Sequence, residues 1–88
     1  MQPTQYDIAP AVLRNWMVNY ICGVLGLDAA TFSTSDRFDV YGLDSVEAVI
    51  MAGVMEEEFH VLVDPNQFFE YPSVDEFVGA FASGASVT

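Results

Sequence analysis

Apolar residues recur at three- and four-residue spacing from Leu13 through Trp16, Met17, Tyr20, Ile21 and Val24 to Leu25, the period of one broad helical face. Asp7-Ile8-Ala9-Pro10 precedes that run, and Pro10 suits a first turn because its missing N–H has no partner to lose there. The pattern therefore predicts a first helix over about 9–26. Between Leu27 and Leu43 the period vanishes among Thr and Ser clusters, Phe32, Phe38 and Gly42, which predicts a long loop pinned to the core by its aromatics. Loops longer than about 12–15 residues are uncommon in small domains and often functional.

A second helix is expected over 44–59, with Asp44 as N-cap and Glu47 placed three residues on as in a capping box. Asp64-Pro65 opens a short third helix over 65–70, broken at Tyr71-Pro72. Ser73 with Glu76 forms an S-x-x-E capping box for a fourth helix over 73–83, carrying Val74, Phe77, Val78 and Phe81. A flexible tail is expected at 84–88. The fold class is all-α: a four-helix bundle with a short third helix, forming one domain over 1–88.

Composition narrows the functions available. Of the 88 residues 52% are hydrophobic, too many for a disordered chain. No apolar stretch reaches the roughly 18 residues that span a bilayer. The start Met1-Gln2-Pro3-Thr4 lacks the basic and apolar regions of a signal peptide. The lone Cys22 can form no internal disulfide, which fits a reducing, cytoplasmic setting. Thirteen acids face two bases, Arg14 and Arg37, for a net charge of −11. From Phe38 onward there is no Lys or Arg at all. Such a surface repels phosphate backbones and anionic headgroups, so neither nucleic acid nor membrane is an expected partner. It attracts proteins with basic patches instead, and a monomer is expected.

The sharpest local signal is Tyr41-Gly42-Leu43-Asp44-Ser45-Val46, at the junction of the long loop and the second helix. A serine in the first helical turn sits beside unpaired N–H groups and the positive end of the helix dipole, both of which stabilise an attached phosphate. Gly42 allows a tight turn, and Asp44 caps the helix. Taken alone, Asp44-Ser45 reads as no more than a helix cap.

Gly42-Leu43-Asp44-Ser45-Val46 resembles the G-x-D-S-[LV] signature of acyl carrier proteins. Met55-Glu56-Glu57-Glu58-Phe59 resembles the end of their second helix, and Phe68-Phe69-Glu70-Tyr71-Pro72-Ser73 the stretch joining their third and fourth. The resemblance spans about residues 9 to 83. It implies a non-catalytic shuttle that receives 4′-phosphopantetheine on Ser45 from a phosphopantetheinyl transferase, Asp44 helping to position the metal–coenzyme A complex and Gly42 and Leu43 completing the site. Tyr-Gly-Leu-Asp-Ser, with Trp16-Met17, looks closer to carriers of polyketide assembly and those loaded by fatty-acyl-AMP ligases. The partners so implied are an acyl-loading enzyme (acyl-AMP ligase or acyltransferase), a ketosynthase and other pathway enzymes, meeting Val46, Glu47, Ile50, Val54 and Glu57.

The chain departs from the family where Ile50 replaces a common acid and Val54 a polar residue. Helical spacing places Val46, Ile50, Gly53 and Val54 near one side and Val49, Ala52, Met55 and Phe59 inward. A small rotation of the helix would instead bury Ile50 and Val54. Glu56-Glu57-Glu58 reads both as a solvated helix end and as a dock for arginines.

Enzymatic readings fail on geometry. The only histidine, His60, lies 15 residues beyond Ser45, roughly 22 Å along a helix, whereas a base must reach the serine by hydrogen bond. Cys22 has no basic neighbour and suits a buried small hydrophobe. The span Asp36 to Glu47 has EF-hand length but carries Phe38, Val40 and Tyr41 where ligands and glycine belong. The rival to a carrier is an acidic helical interaction module without a prosthetic group, in which Asp44-Ser45 is only a cap.

Overall fold

The structure, a computed structural model, describes residues 8–81, so the expected tail at 84–88 and the end of the fourth helix lie outside the described residues. Within that span are four α-helices: α1 (Pro10–Leu25), α2 (Ser45–Phe59), α3 (Gln67–Glu70) and α4 (Val74–Phe81). A 3₁₀ turn, Phe38–Tyr41, interrupts the long loop. Among the described residues there is no strand, only an isolated bridge between Arg37 and Ser73.

Each helix begins and ends where local chemistry dictates. Pro10 opens α1 with Ala9 flanking it, and α1 stops at Gly26, whose left-handed backbone (φ 71°) turns its N–H onto the Cys22 carbonyl. Asp44 stands outside α2 as its cap, accepting from the Glu47 N–H at 2.9 Å. The far end of α2 closes on His60, which holds a left-handed φ of 58° without being glycine. Pro65 and Asn66, expected inside the third helix, precede it in hydrogen-bonded turns, the Asp64 and Pro65 carbonyls accepting from Gln67 and Phe68. Ser73 is buried yet satisfied, its hydroxyl accepting from the Glu76 N–H at 3.1 Å.

The helices enclose one core. Leu13, Met17 and Ile21 of α1 meet Ala48, Met51, Ala52 and Met55 of α2 and Val74, Phe77, Val78 and Phe81 of α4. α1 lies against α4, with Arg14 reaching Asp75 at 3.5 Å across that seam. A column of rings, Phe38–Phe68–Phe77–Phe81, joins the loop, α3 and α4 at centroid separations of 5.9, 4.5 and 5.0 Å. Trp16 stacks on Tyr20 and meets Phe59 edge-on, closing the seam between α1 and the end of α2. Cys22 is buried, and burial, reinforced by Asp28, raises its thiol pKa, as befits a small core hydrophobe.

One inward assignment is corrected. Val49 is exposed, not inward. At about 100° per residue, the buried series Ala48, Met51, Ala52 and Met55 fixes the core side of α2, and Val49 falls well off it. Phe59 is half-buried against the core.

Among the described residues both arginines already face acids, and a net charge of −11 remains, so the folded chain repels itself. Raising ionic strength from low salt to about 0.15 M, or adding a divalent cation, should raise the melting temperature. A thermal scan unchanged by either addition would contradict this account.

Candidate functional site

The loop between α1 and α2 is organised from both ends. Near its start, the Asp28 carboxylate accepts from the Ala30 N–H at 2.9 Å and makes a local turn. Near its end, the Phe38 N–H donates to the Pro72 carbonyl at 2.7 Å and the Asp75 N–H to the Thr34 carbonyl at 3.1 Å. These bonds tie the loop to the start of α4. Phe38 is buried and Phe32 packs on the core, as the pinning of the loop by its aromatics requires.

The 3₁₀ turn then delivers the chain to α2. Gly42 adopts φ 91°, a conformation that disfavours any side chain, and its N–H closes on the Asp39 carbonyl at 3.2 Å. The Leu43 N–H follows onto the Phe38 carbonyl at 3.2 Å, and the Leu43 side chain is buried. Tyr41 stacks on Phe32 and donates its hydroxyl proton to the Ser33 carbonyl. Burial first, and then the nearby Asp36 and Asp75 carboxylates, raise the Tyr41 pKa and favour its protonated, donating form.

Ser45 is the first residue of α2 and is exposed. Leu43 anchors it on one side and Ala48, buried one turn on, anchors it on the other. The site is therefore rigid in backbone and open in side chain. A methyl group added at Gly42 would meet nothing within 4 Å, so the approach over that turn is clear. A group esterified to the hydroxyl would find space, the free N–H groups of a 15-residue helix and its positive dipole end.

The outer face of α2 carries Val46 at 64% exposure, Val49 at 55%, Ile50 at 48% and Val54 at 37%. Ile50 and Val54 thus belong to an outward apolar strip and not to the core. Glu47 is half-buried beside Tyr20, whose pKa rises through burial first and the Glu47 charge second. Glu57 and Glu58 are exposed, whereas Glu56 accepts from the Val63 N–H at 2.8 Å and holds the loop after α2. Of the three acids, one is structural. His60 stands at the opposite end of α2 from Ser45. Among the described residues no group of acids, histidines or cysteines could hold a metal ion, and no helix is long and apolar enough to cross a membrane.

A cleft of about 230 Å³ opens beside the first turn of α2, lined by Leu43, Ala48, Phe38, Phe68, Phe69 and Pro72 with Arg37 and Asp39 at its polar side. The sequence pattern gave no warning of it, since its walls come from the loop, α2, α3 and the turn before α4. The only early sign was Arg37, one of two cations in the chain.

The model of a family described as "phosphopantetheine attachment site" matches residues 15–81. A 63-residue stretch is 30% identical to the polyketide synthase PksL of Bacillus subtilis (strain 168), covering 72% of this chain and 1% of that synthase. Among solved structures, the acyl carrier protein LipD from Actinoplanes friuliensis is 39% identical with a TM-score of 0.67, over 82% of this chain and 80% of that one. Asl1650, an acyl carrier protein from Anabaena sp. PCC 7120 with a variant phosphopantetheinylation-site sequence, shares the fold at a TM-score of 0.76 and 21% identity, over 91% of each chain.

If Asp44 holds the start of α2 through its cap, Asp44→Ala should lower stability by about 1 kcal/mol. A denaturant melt reads this directly, and an unchanged midpoint would mean that the cap bond contributes nothing.

Proposed function

Because this chain belongs to the phosphopantetheine attachment-site family, we propose that Ser45 is the residue that carries its 4′-phosphopantetheine. The observation that carries the assignment is the conjunction at Ser45: an exposed hydroxyl at the first position of α2, preceded by a capping Asp44 and a left-handed Gly42. When bound, the arm supplies a terminal thiol on which an acyl group is held as a thioester.

The chain's own residues do the rest. The first-turn N–H groups and helix dipole stabilise the phosphate charge at Ser45. Asp44 spends one carboxylate oxygen on its cap and keeps the other to orient the metal–coenzyme A complex during attachment. Attachment would form a bond from the Ser45 oxygen to the arm's phosphorus and break the pyrophosphate link of coenzyme A, releasing adenosine 3′,5′-bisphosphate and the hydroxyl proton. Gly42 and Leu43 hold the turn that aims Ser45 outward. On this reading the chain is a shuttle and leaves catalysis to its partners.

Those partners are a phosphopantetheinyl transferase, an acyl-loading enzyme (acyl-AMP ligase or acyltransferase), a ketosynthase and other enzymes of polyketide or fatty-acid-type assembly. The likeness to part of PksL and to LipD supports this reading, as does a charge of −11 that draws basic surfaces and opposes self-association of a monomer. A cytoplasmic setting fits partners of this kind. The contact itself falls on α2. Val46, Ile50 and Val54 supply an apolar patch beside Ser45, and Glu47 and Glu57 supply charge along its length. Recognition here is therefore less electrostatic than the acid-bearing family pattern would make it. The interaction module without a prosthetic group is set aside by family membership.

Ser45→Ala should abolish the gain of one phosphopantetheine mass after incubation with coenzyme A and a broad-specificity transferase, while the fold survives because the cap belongs to Asp44. An alanine variant that still gains the mass would move the attachment elsewhere. Ile50→Glu should change stability by less than about 0.5 kcal/mol, as surface substitutions do, yet raise the KM of the cognate loading enzyme for this carrier. A denaturant melt and loading kinetics separate the two effects, and unaltered loading would remove Ile50 from the docking face.

A further inference from the structure

We infer that Arg37 recognises an acyl cargo bearing a free carboxylate at the end remote from its thioester, with the cargo's hydrocarbon body resting in the cleft beside α2. The inference rests on the carrier reading of Ser45.

Position comes first. Ala48 lies three residues beyond Ser45, on the same side of the first turn, where neighbouring Cβ atoms are about 5–6 Å apart, and it forms part of the cleft wall. The cleft is thus within immediate reach of anything tethered to that serine. Its floor is apolar and buried at Phe38, Leu43, Ala48 and Phe68, while Phe69 forms an exposed rim. Such a surface suits a short hydrocarbon.

Charge comes second. A carboxylate-tipped cargo on a chain of net charge −11 is repelled almost everywhere. Arg14 is held by Asp75 at the α1–α4 seam. Arg37 is the one other Lys or Arg in the chain, and it stands on the wall of this cleft. Its present partner holds it weakly. Nε and one terminal nitrogen donate to the two Asp39 oxygens at 3.3 Å each, longer than the roughly 2.7–2.9 Å of a strong charged pair. Both side chains are largely exposed, where such pairs contribute little. A guanidinium has five N–H donors, so donors remain for a second carboxylate beside Asp39. A purely aliphatic cargo would use the floor and leave Arg37 without a role.

The test loads the protein from glutaryl-coenzyme A and, separately, from pentanoyl-coenzyme A with a broad-specificity transferase, loading being confirmed by intact mass. Amide chemical shifts at Leu43, Ala48 and Phe69, and the rate of thioester release to hydroxylamine, are compared between the native chain and its variants. With glutaryl cargo, Arg37→Gln should erase the shifts specific to the carboxylate and speed release several-fold relative to the native chain. Asp39→Asn, which removes the competing carboxylate, should slow release. With pentanoyl cargo neither substitution should matter. Equal effects of Arg37→Gln on both cargoes would assign Arg37 to the arm and overturn the inference, as would no effect on either, and in both cases the carrier reading stands. Failure of Ser45 to accept either arm would remove the carrier reading and this inference with it.

Discussion

The placement of Ser45 depends on where Phe38 is held. Ordering a loop costs about 1–2 kcal/mol for each residue fixed, and the segment between α1 and α2 has little regular structure to offset that. Its anchorage is concentrated instead. The Phe38 N–H bonds to the Pro72 carbonyl, and its ring meets Phe68, which continues through Phe77 to Phe81. The 3₁₀ turn starts at Phe38, its carbonyl accepts from Leu43, and Ser45 follows two residues later. The aromatic column of α3 and α4 therefore sets the position of a serine that it never touches.

Charge and contact are separated on α2. Asp44 and Glu47 stand at its start and Glu57 and Glu58 near its end, while the outer face between them shows Val46, Val49, Ile50 and Val54. Long-range attraction acts through the whole acidic surface and hastens encounter with basic partners, but it falls off over about 8 Å at physiological salt. If α2 is the docking face, as proposed, contact would release water from the apolar strip and add affinity that salt does not screen. Acids all along this face would make both stages electrostatic. Here the two physical effects divide the work.

The caps were legible because they are local. Asp44 and Ser73 each accept the N–H three residues on, and Pro10 opens α1, all within one turn as the spacing implies. The face of α1 was legible at Leu13, Met17 and Ile21, which are buried, but Val24, expected on the same face, is exposed at the last turn. α2 was harder because it carries two interleaved series of the same period. Ala48, Met51, Ala52 and Met55 repeat at three- and four-residue steps, and so do Val46, Val49, Ile50, Gly53 and Val54. Val49 was grouped with the inward Ala52 and Met55, although at about 100° per residue it lies about 120° round the helix from Met55 and with the outer series. The cleft was illegible for another reason. Arg37, Ala48, Phe68 and Pro72 are distant in sequence and meet only after the loop has docked.

The two series also explain what Ser45 can do. At about 100° per residue, Ala48 lies about 60° to one side of Ser45 around the helix and Val49 about 40° to the other. Ala48 belongs to the cleft, and Val49 to the outward strip. Ser45 thus sits on the border between a sheltered apolar hollow and a surface suited to partners. A group attached there can turn toward either side by rotating about side-chain bonds, with no movement of the backbone. Rotamer changes at exposed positions are fast and need little energy, whereas freeing the backbone would require breaking the Phe38 anchor and the Asp44 cap. A carrier must alternate between protecting its cargo and presenting it. With the arm on Ser45 as proposed, its place on the edge between the two faces of one helix would let a rigid scaffold do both.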